Sequence, residues 1–199
     1  MKILKYNIEL KTFFKRGIKG VKDSFAIYLV TGYQGSGKTY FAVKDVSERY
    51  DKNKVIITNI KSLMIPDRKI YYFTKLNEIY KYNDLNCVFV IDEVSKAFTK
   101  ESKQDRAFYS WLQQSRKHQR YVYLITQEYI QVPTWLRGVA NQVFTTKKLF
   151  LNLFITSLGK PVLNEESKEW ETENFLYYIY KRTRVVANYY DTFELVNEL

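Results

Sequence analysis

Short apolar runs alternate with helical stripes through the first three quarters of the chain. Residues 27–31, 54–58, 87–91, 121–126 and 141–146 each read as a buried strand, and 70–73 as a shorter β-rich run. They are nearly continuous in Val, Ile, Leu, Phe and Tyr and end at polar or turn-forming residues. Between them the period lengthens. Ala42, Val46 and Tyr50 recur at helical spacing, as do Leu76, Ile79 and Tyr80 beyond the turn at Pro66-Asp67. Ala107, Phe108, Trp111, Leu112 and Ser115 share one face of a helix expected after a charged loop at 100–106, and 133–137 turns into a short helix. Strand and helix in alternation predict an α/β fold, a mainly parallel sheet with helices on both faces. Beyond Lys147-Lys148 the pattern weakens. Residues 175–180 and 185–187 read as strand material around Lys181, Arg182 and Arg184, forming either a hairpin on the sheet edge or a basic surface toward nucleic acid.

Length keeps the count at one domain, since 199 residues without a repeat or proline-rich linker can bury one core. We divide the chain into a basic arm at 1–24 and a single domain at 25–199 with a β-rich extension from about 147. In residues 1–22 seven Lys or Arg stand against Glu9 alone, with Ile3, Leu4, Phe13 and Phe14 interleaved. Such an arm suits a phosphate backbone, an anionic membrane, a neighbouring subunit or plain packing as a lead-in to the first strand. Net charge of +11 favours a polyanionic partner. The most apolar window, 149–158, is too short to span a bilayer, which needs about twenty residues. No transmembrane segment and no secretory signal are expected, and the lone Cys87 sits in an apolar run as a core residue. An intracellular setting follows.

The first strand leads into Gly32-Tyr33-Gln34-Gly35-Ser36-Gly37-Lys38-Thr39, which fits G-x-x-x-x-G-K-[ST] at every fixed position, with a helical stripe directly after it. Gly32, Gly35, Ser36 and Gly37 allow successive backbone N–H groups to face one concavity, a cradle for phosphate at a helix N-terminus. Lys38 reaches the β- and γ-phosphates and Thr39 ligands Mg²⁺, so the expected cofactors are ATP and Mg²⁺.

A second motif closes the strand at 87–91. Asp92-Glu93 falls at the carboxyl edge of the sheet, where ligands gather in open α/β folds. Asp92 is the expected second metal ligand, and Glu93 the group that takes a proton from, or orients, an attacking water. The next core strand ends at Gln127, whose amide can bond both that water and the γ-phosphate. Arg116, Lys117, His118 and Arg120 cluster after the helix. They read either as cations complementing its C-terminal dipole or as the source of an arginine finger for a neighbouring subunit, with Arg116 preferred, then Arg120, then Arg137.

The P-loop at 32–39, Asp92-Glu93 after an apolar strand and Gln127 closing the following strand together resemble the FtsK–HerA superfamily of P-loop ATPases. That superfamily includes DNA pumps, compact viral genome-packaging ATPases and Zot-like assembly proteins of filamentous phages. The resemblance implies a RecA-like fold, an oligomeric ring, a double-stranded DNA partner and a docking protein on a capsid or virion membrane. It also implies phosphate, metal, base and sensor roles for Lys38, Thr39, Asp92, Glu93 and Gln127. Size favours genome packaging into a preformed capsid, in the host cytoplasm or with the virion. Zot-like morphogenesis or export at a membrane is the alternative, and a P-loop kinase of small molecules or nucleotides comes third. No Asn-Lys-x-Asp motif marks a GTPase.

Overall fold

A computed structural model of the chain describes residues 25–82, 87–98 and 103–192. The basic arm expected at 1–24 lies outside the described residues. The described residues fold around an eight-stranded sheet of order β3-β2-β4-β5-β1-β6-β7-β8. Its strands are β1 (Ala26–Thr31), β2 (Val55–Thr58), β3 (Ile70–Tyr72), β4 (Cys87–Ile91), β5 (Tyr121–Ile125), β6 (Gln142–Phe150), β7 (Leu153–Leu163) and β8 (Trp170–Lys181). From β3 to β6 every neighbouring pair is parallel, and β7 and β8 add two antiparallel strands beyond β6.

The parallel strands are buried on both faces, and for that reason they read as continuous apolar runs. In β1, Tyr28 and Val30 point into one core with Phe41, Val43 and Val46 of α1 (Lys38–Arg49). Ile27 and Leu29 point into the other, with Phe108, Trp111 and Leu112 of α2 (Lys103–Gln113) and Leu136 of α3 (Thr134–Val139). Helices therefore cover both faces, as the α/β pattern implied. A polar knot fixes α1 to the sheet. Tyr123 donates to Asp45 Oδ2 at 2.6 Å, Arg49 pairs with Asp45 at 3.1 Å, and the Tyr50 and Tyr123 hydroxyls meet at 3.0 Å.

Several expectations are corrected. Val185–Ala187 is not strand but part of a short helix, α4 (Arg184–Ala187), because the chain turns back over α1 there and buries Val186. Residues 103–106 belong to α2 rather than to a loop, and Ala107 is exposed instead of sharing the buried face. The stripe at Leu76–Tyr82 is a tighter 3₁₀ helix. Residues 175–180 are strand as expected, but the hairpin they were expected to form with 185–187 is corrected: their partner is β7, and β8 pairs with it from Leu153↔Lys181 to Leu163↔Trp170. The expected fifth core strand continues to Phe150, so the extension grows out of β6 without a break. Cys87 is buried, and burial pushes its thiol up to about 12. No helix of the described residues is long and apolar enough to cross a membrane.

Candidate active site

Strands β1, β4 and β5 are parallel neighbours or share one, so their carboxyl ends open on the same edge. There they deliver Gly32, Asp92 and Gln127. The loop after β1 takes the left-handed conformations its glycines allow, with φ of 146° at Gly32, 75° at Gly35 and 87° at Gly37. Ser36 N–H donates to Tyr33 C=O at 3.0 Å, closing the turn, and α1 starts at Lys38. Ser36 Oγ and Thr146 Oγ1 lie 3.0 Å apart, tying the loop to β6. The cavity over this edge measures about 390 Å³, and its lining includes Gly35, Gly37, Lys38, Thr39, Asp92 and Glu93.

Lys38 is largely buried, with Nζ donating to Tyr33 C=O at 3.1 Å. Burial lowers its pKa, while Asp92 and Glu93 pull the other way. Thr39 Oγ1 donates to Asp92 Oδ2 at 2.9 Å, so the two expected metal ligands already stand together. Burial pushes the Asp92 carboxyl up to about 6 against the Thr39 hydrogen bond, and the adjacent Glu93 charge pushes the same way. A hydroxyl and one carboxylate are hard oxygen donors and fit Mg²⁺, which takes one or two protein carboxylates and completes its shell with phosphate and water. Among the described residues no group of three or more His, Cys, Asp or Glu forms a cage for a metal.

Glu93 sits in the left-handed region at φ 52°, and its N–H donates to Asp92 Oδ1 at 2.8 Å. This turn sends the two neighbouring carboxylates in different directions. Gln127 Nε2 approaches Glu93 Oε1 at 3.4 Å, and the Gln127 carbonyl accepts from Gly32 N–H at 3.0 Å. All the residues assigned to phosphate, metal, base and sensor roles therefore gather on one edge.

The arginines do not. Arg116 and Arg120 precede β5 at its amino end, and β5 spans five residues, about 16 Å at ~3.3 Å per residue, from the pocket of the same chain. Arg120 is fully buried, stacked on Trp111 at 4.8 Å with Nη1 donating to the Trp111 carbonyl. It is a core residue of its own subunit and cannot extend to another without unfolding this corner, which corrects the expectation that it competes as a finger. Arg137 donates to the Val132 and Ile130 carbonyls across Tyr129. Arg116 is exposed.

Two features escaped the sequence reading. Asn59, buried just past β2, accepts from Asp92 N–H at 2.8 Å through Oδ1 and donates to Asp92 C=O at 2.8 Å through Nδ2. A single Asn after a strand carries no local signal of such a clamp. Asn59→Ala leaves both buried backbone groups unpaired, which is expected to cost about 2–4 kcal/mol. Urea unfolding should read that loss, and a Mg²⁺ titration of turnover should shift to higher concentration. The second feature is the far wall of the pocket, where Tyr190, Asp191 and Thr192 return beside Tyr40 and Ile60. Tyr40 OH lies 3.3 Å from Thr183 Oγ1, and Arg182 donates to Thr192 at 3.3 Å, holding that segment down.

Residues 26–76 and 69–157 match the family model described as zonular occludens toxin (Zot). No match was found among curated protein sequences. The N-terminal domain of zonular occludens toxin from Neisseria meningitidis is structurally similar, with a TM-score of 0.61 at 18% identity over 83% of this chain and 98% of that one. The genome packaging NTPase B204 from Sulfolobus turreted icosahedral virus 2, in complex with ATP-gammaS, gives 0.52 at 14% identity, covering 76% of this chain and 97% of that one. The flagellar accessory protein FlaH from Methanocaldococcus jannaschii gives 0.53 at 11% identity over 77% and 86% of the two chains. At such identities the likeness is one of fold, and that fold is the RecA-like P-loop ATPase.

Proposed function

The chain belongs to the zonular occludens toxin (Zot) family of P-loop ATPases, and from that premise we propose that it hydrolyses ATP with Mg²⁺ to move DNA during phage assembly or export at a membrane. The observation that carries the reading is the pairing of Gln127 with Glu93 at 3.4 Å beside the P-loop. A phosphate cradle alone binds nucleotide. A carboxylate and an amide placed together beyond it are what water activation needs.

In this reading the backbone N–H groups at 35–39 and Lys38 hold the β- and γ-phosphates, and Thr39 and Asp92 hold the metal. Mg²⁺ bound there supplies charge neutralisation on the phosphate oxygens. Glu93 accepts the proton of the attacking water, and Gln127 orients that water against the γ-phosphate. Loss of the γ-phosphate releases the Gln127 side-chain amide, and because the backbone carbonyl of the same residue accepts from Gly32 N–H, the end of β5 and the loop are linked at this residue. Arg116, exposed and remote from its own pocket, is free to serve a neighbouring subunit in a ring. We place the protein on the cytoplasmic side of a host membrane.

Family membership favours the Zot-like role over the capsid packaging that chain size alone preferred. Packaging stays as a second reading because of the net charge of +11 and the fold likeness to B204. ATP turnover measured with double-stranded DNA, and separately with anionic liposomes, across a salt series tests these roles. Lys38→Ala should abolish turnover in every arm. Stimulation by DNA that fades with salt supports a DNA motor. Turnover indifferent to DNA but raised by liposomes leaves a membrane-acting ATPase, and no turnover in any arm rejects the reading.

A further inference from the structure

The long antiparallel ribbon of β7 and β8 is polarised. One end lies on the same edge as the nucleotide pocket, because β6 runs parallel to β1 with Thr31↔Thr145 in register and continues past it. That end carries Lys147, Lys148, Lys181, Arg182 and Arg184, and residues 146–154 and 180–189 contain no carboxylate. At its tip Leu149, Phe150 and Leu151 are consecutive and exposed, with Leu151 82% accessible. Leu151 also adopts φ 45°, a conformation that Asn or Gly takes with less strain. Neither burial nor turn geometry calls for leucine there, and three adjacent exposed apolar residues mark a contact surface.

The other end of the ribbon overhangs the opposite edge of the sheet, since Val143 near the start of β6 already pairs with Gly159 and β7 runs on to Leu163. Here the sign reverses. Glu165, Glu166, Glu169, Glu171 and Glu173 are exposed around the turn, against Lys160 and Lys168. Val162 and Leu163 add exposed apolar surface. The eleven residues of β7 hold these two ends about 35 Å apart at ~3.3 Å per residue.

We propose that this ribbon is the clasp of a head-to-tail assembly of the chain, the acidic apolar end of one copy seating on the basic apolar end of the next. Two complementary patches on opposite edges make a heterologous contact, which closes into a ring or runs on as a filament. An anionic membrane would account for the basic tip and leave the acidic one unused; a second copy uses both. The geometry has a further consequence. Stacking copies along the strand direction sets the amino edge of one sheet, where Arg116 is exposed, toward the carboxyl edge of the next, where the pocket opens. The acidic end and Arg116 share the first edge, and the basic end and the P-loop share the second. The inference rests on the reading of the chain as an oligomeric ATPase.

Charge reversal tests it. Lys147→Glu/Lys148→Glu/Lys181→Glu makes both ends acidic, and Glu165→Lys/Glu166→Lys/Glu169→Lys makes both basic. In sedimentation velocity over a salt series, with and without a non-hydrolysable ATP analogue, each triple variant is expected to weaken assembly at least about tenfold. The chain carrying all six substitutions, and an equal mixture of the two triple variants, should recover assembly. A wild-type chain that stays monomeric at low salt, triple variants that assemble normally, or no recovery in the six-fold variant would overturn the clasp. So would loss of binding to phosphatidylglycerol vesicles by the first triple variant with assembly intact, which assigns the tip to a membrane. Fluorescent ATP binding by each variant is read in parallel. Failure to bind nucleotide with assembly preserved sinks the proposed function and leaves the clasp standing.

Discussion

Glu93→Gln is expected to lower ATP turnover by about 10²–10⁴ while leaving nucleotide affinity within about threefold of wild type. The substitution keeps the length and shape of the side chain. Gln127 Nε2 can still donate to the new amide oxygen across the 3.4 Å gap, and the neighbouring Asp92 with its partners Thr39 and Asn59 is untouched. What disappears is the capacity to take a proton. Rapid-quench measurement of a single turnover, beside equilibrium binding of a fluorescent ATP, separates the two quantities. A fall in turnover at constant affinity assigns Glu93 to the chemical step. Equal loss of both would make it a binding residue, and unchanged turnover would remove it as the base.

The other large effect should be on folding. Gly32→Ala is expected to destabilise the protein by roughly 2–6 kcal/mol, combining overpacking and backbone strain of about 1–3 kcal/mol each. A Cβ at this position would stand 2.4 Å from the Thr146 carbonyl, 2.6 Å from Ser36 Oγ and 2.9 Å from Thr146 Oγ1, and φ is 146°. The first obstacle is backbone of β6, held in register by β1, and it cannot yield as a flexible side chain would. Against a total stability of about 5–15 kcal/mol this is a large fraction. Thermal unfolding should shift by about 2–4 °C for each kcal/mol in a domain of this size. Gly35→Ala is the internal comparison. Nothing lies within 4 Å of its added Cβ, so only the strain of φ 75° remains and the loss should be clearly smaller. Equal losses at the two glycines would mean that the clash with β6 is relieved by local movement.

The contrast between these two glycines shows where the sequence stops being informative. Both belong to a pattern of eight contiguous residues, and the pattern predicts that each takes a left-handed conformation. Only the tertiary structure shows that one of them is also wedged against Thr146, more than a hundred positions away.

The same division runs through the site. Lys38, Thr39, Asp92, Glu93 and Gln127 were legible because each sits at a strand end or helix start whose own residues announce it. Asn59 was not, since its role depends on β2 lying next to β4, with Thr58 opposite Val90. Arg120 looked like one cation among four. The residues before it are polar, and only the fold lays it on Trp111 inside the molecule. Val185–Ala187 has strand-like side chains, but a return over α1 that buries Val186 outweighs their local preference. Tyr190, Asp191 and Thr192 carry no motif at all and reach the pocket because Asp191 N–H bonds Ser62 Oγ at 2.8 Å and Tyr189 C=O accepts from Met64.

By itself the sequence determined the alternation of strands and helices, the phosphate cradle and the two carboxylates, because periodic burial and a glycine-rich turn are properties of neighbouring residues. Tertiary structure alone decided which cation is buried, what clamps Asp92, what closes the pocket and how charge divides between the ends of the ribbon. Those depend on which distant segments meet, and that follows from the packing of the whole core.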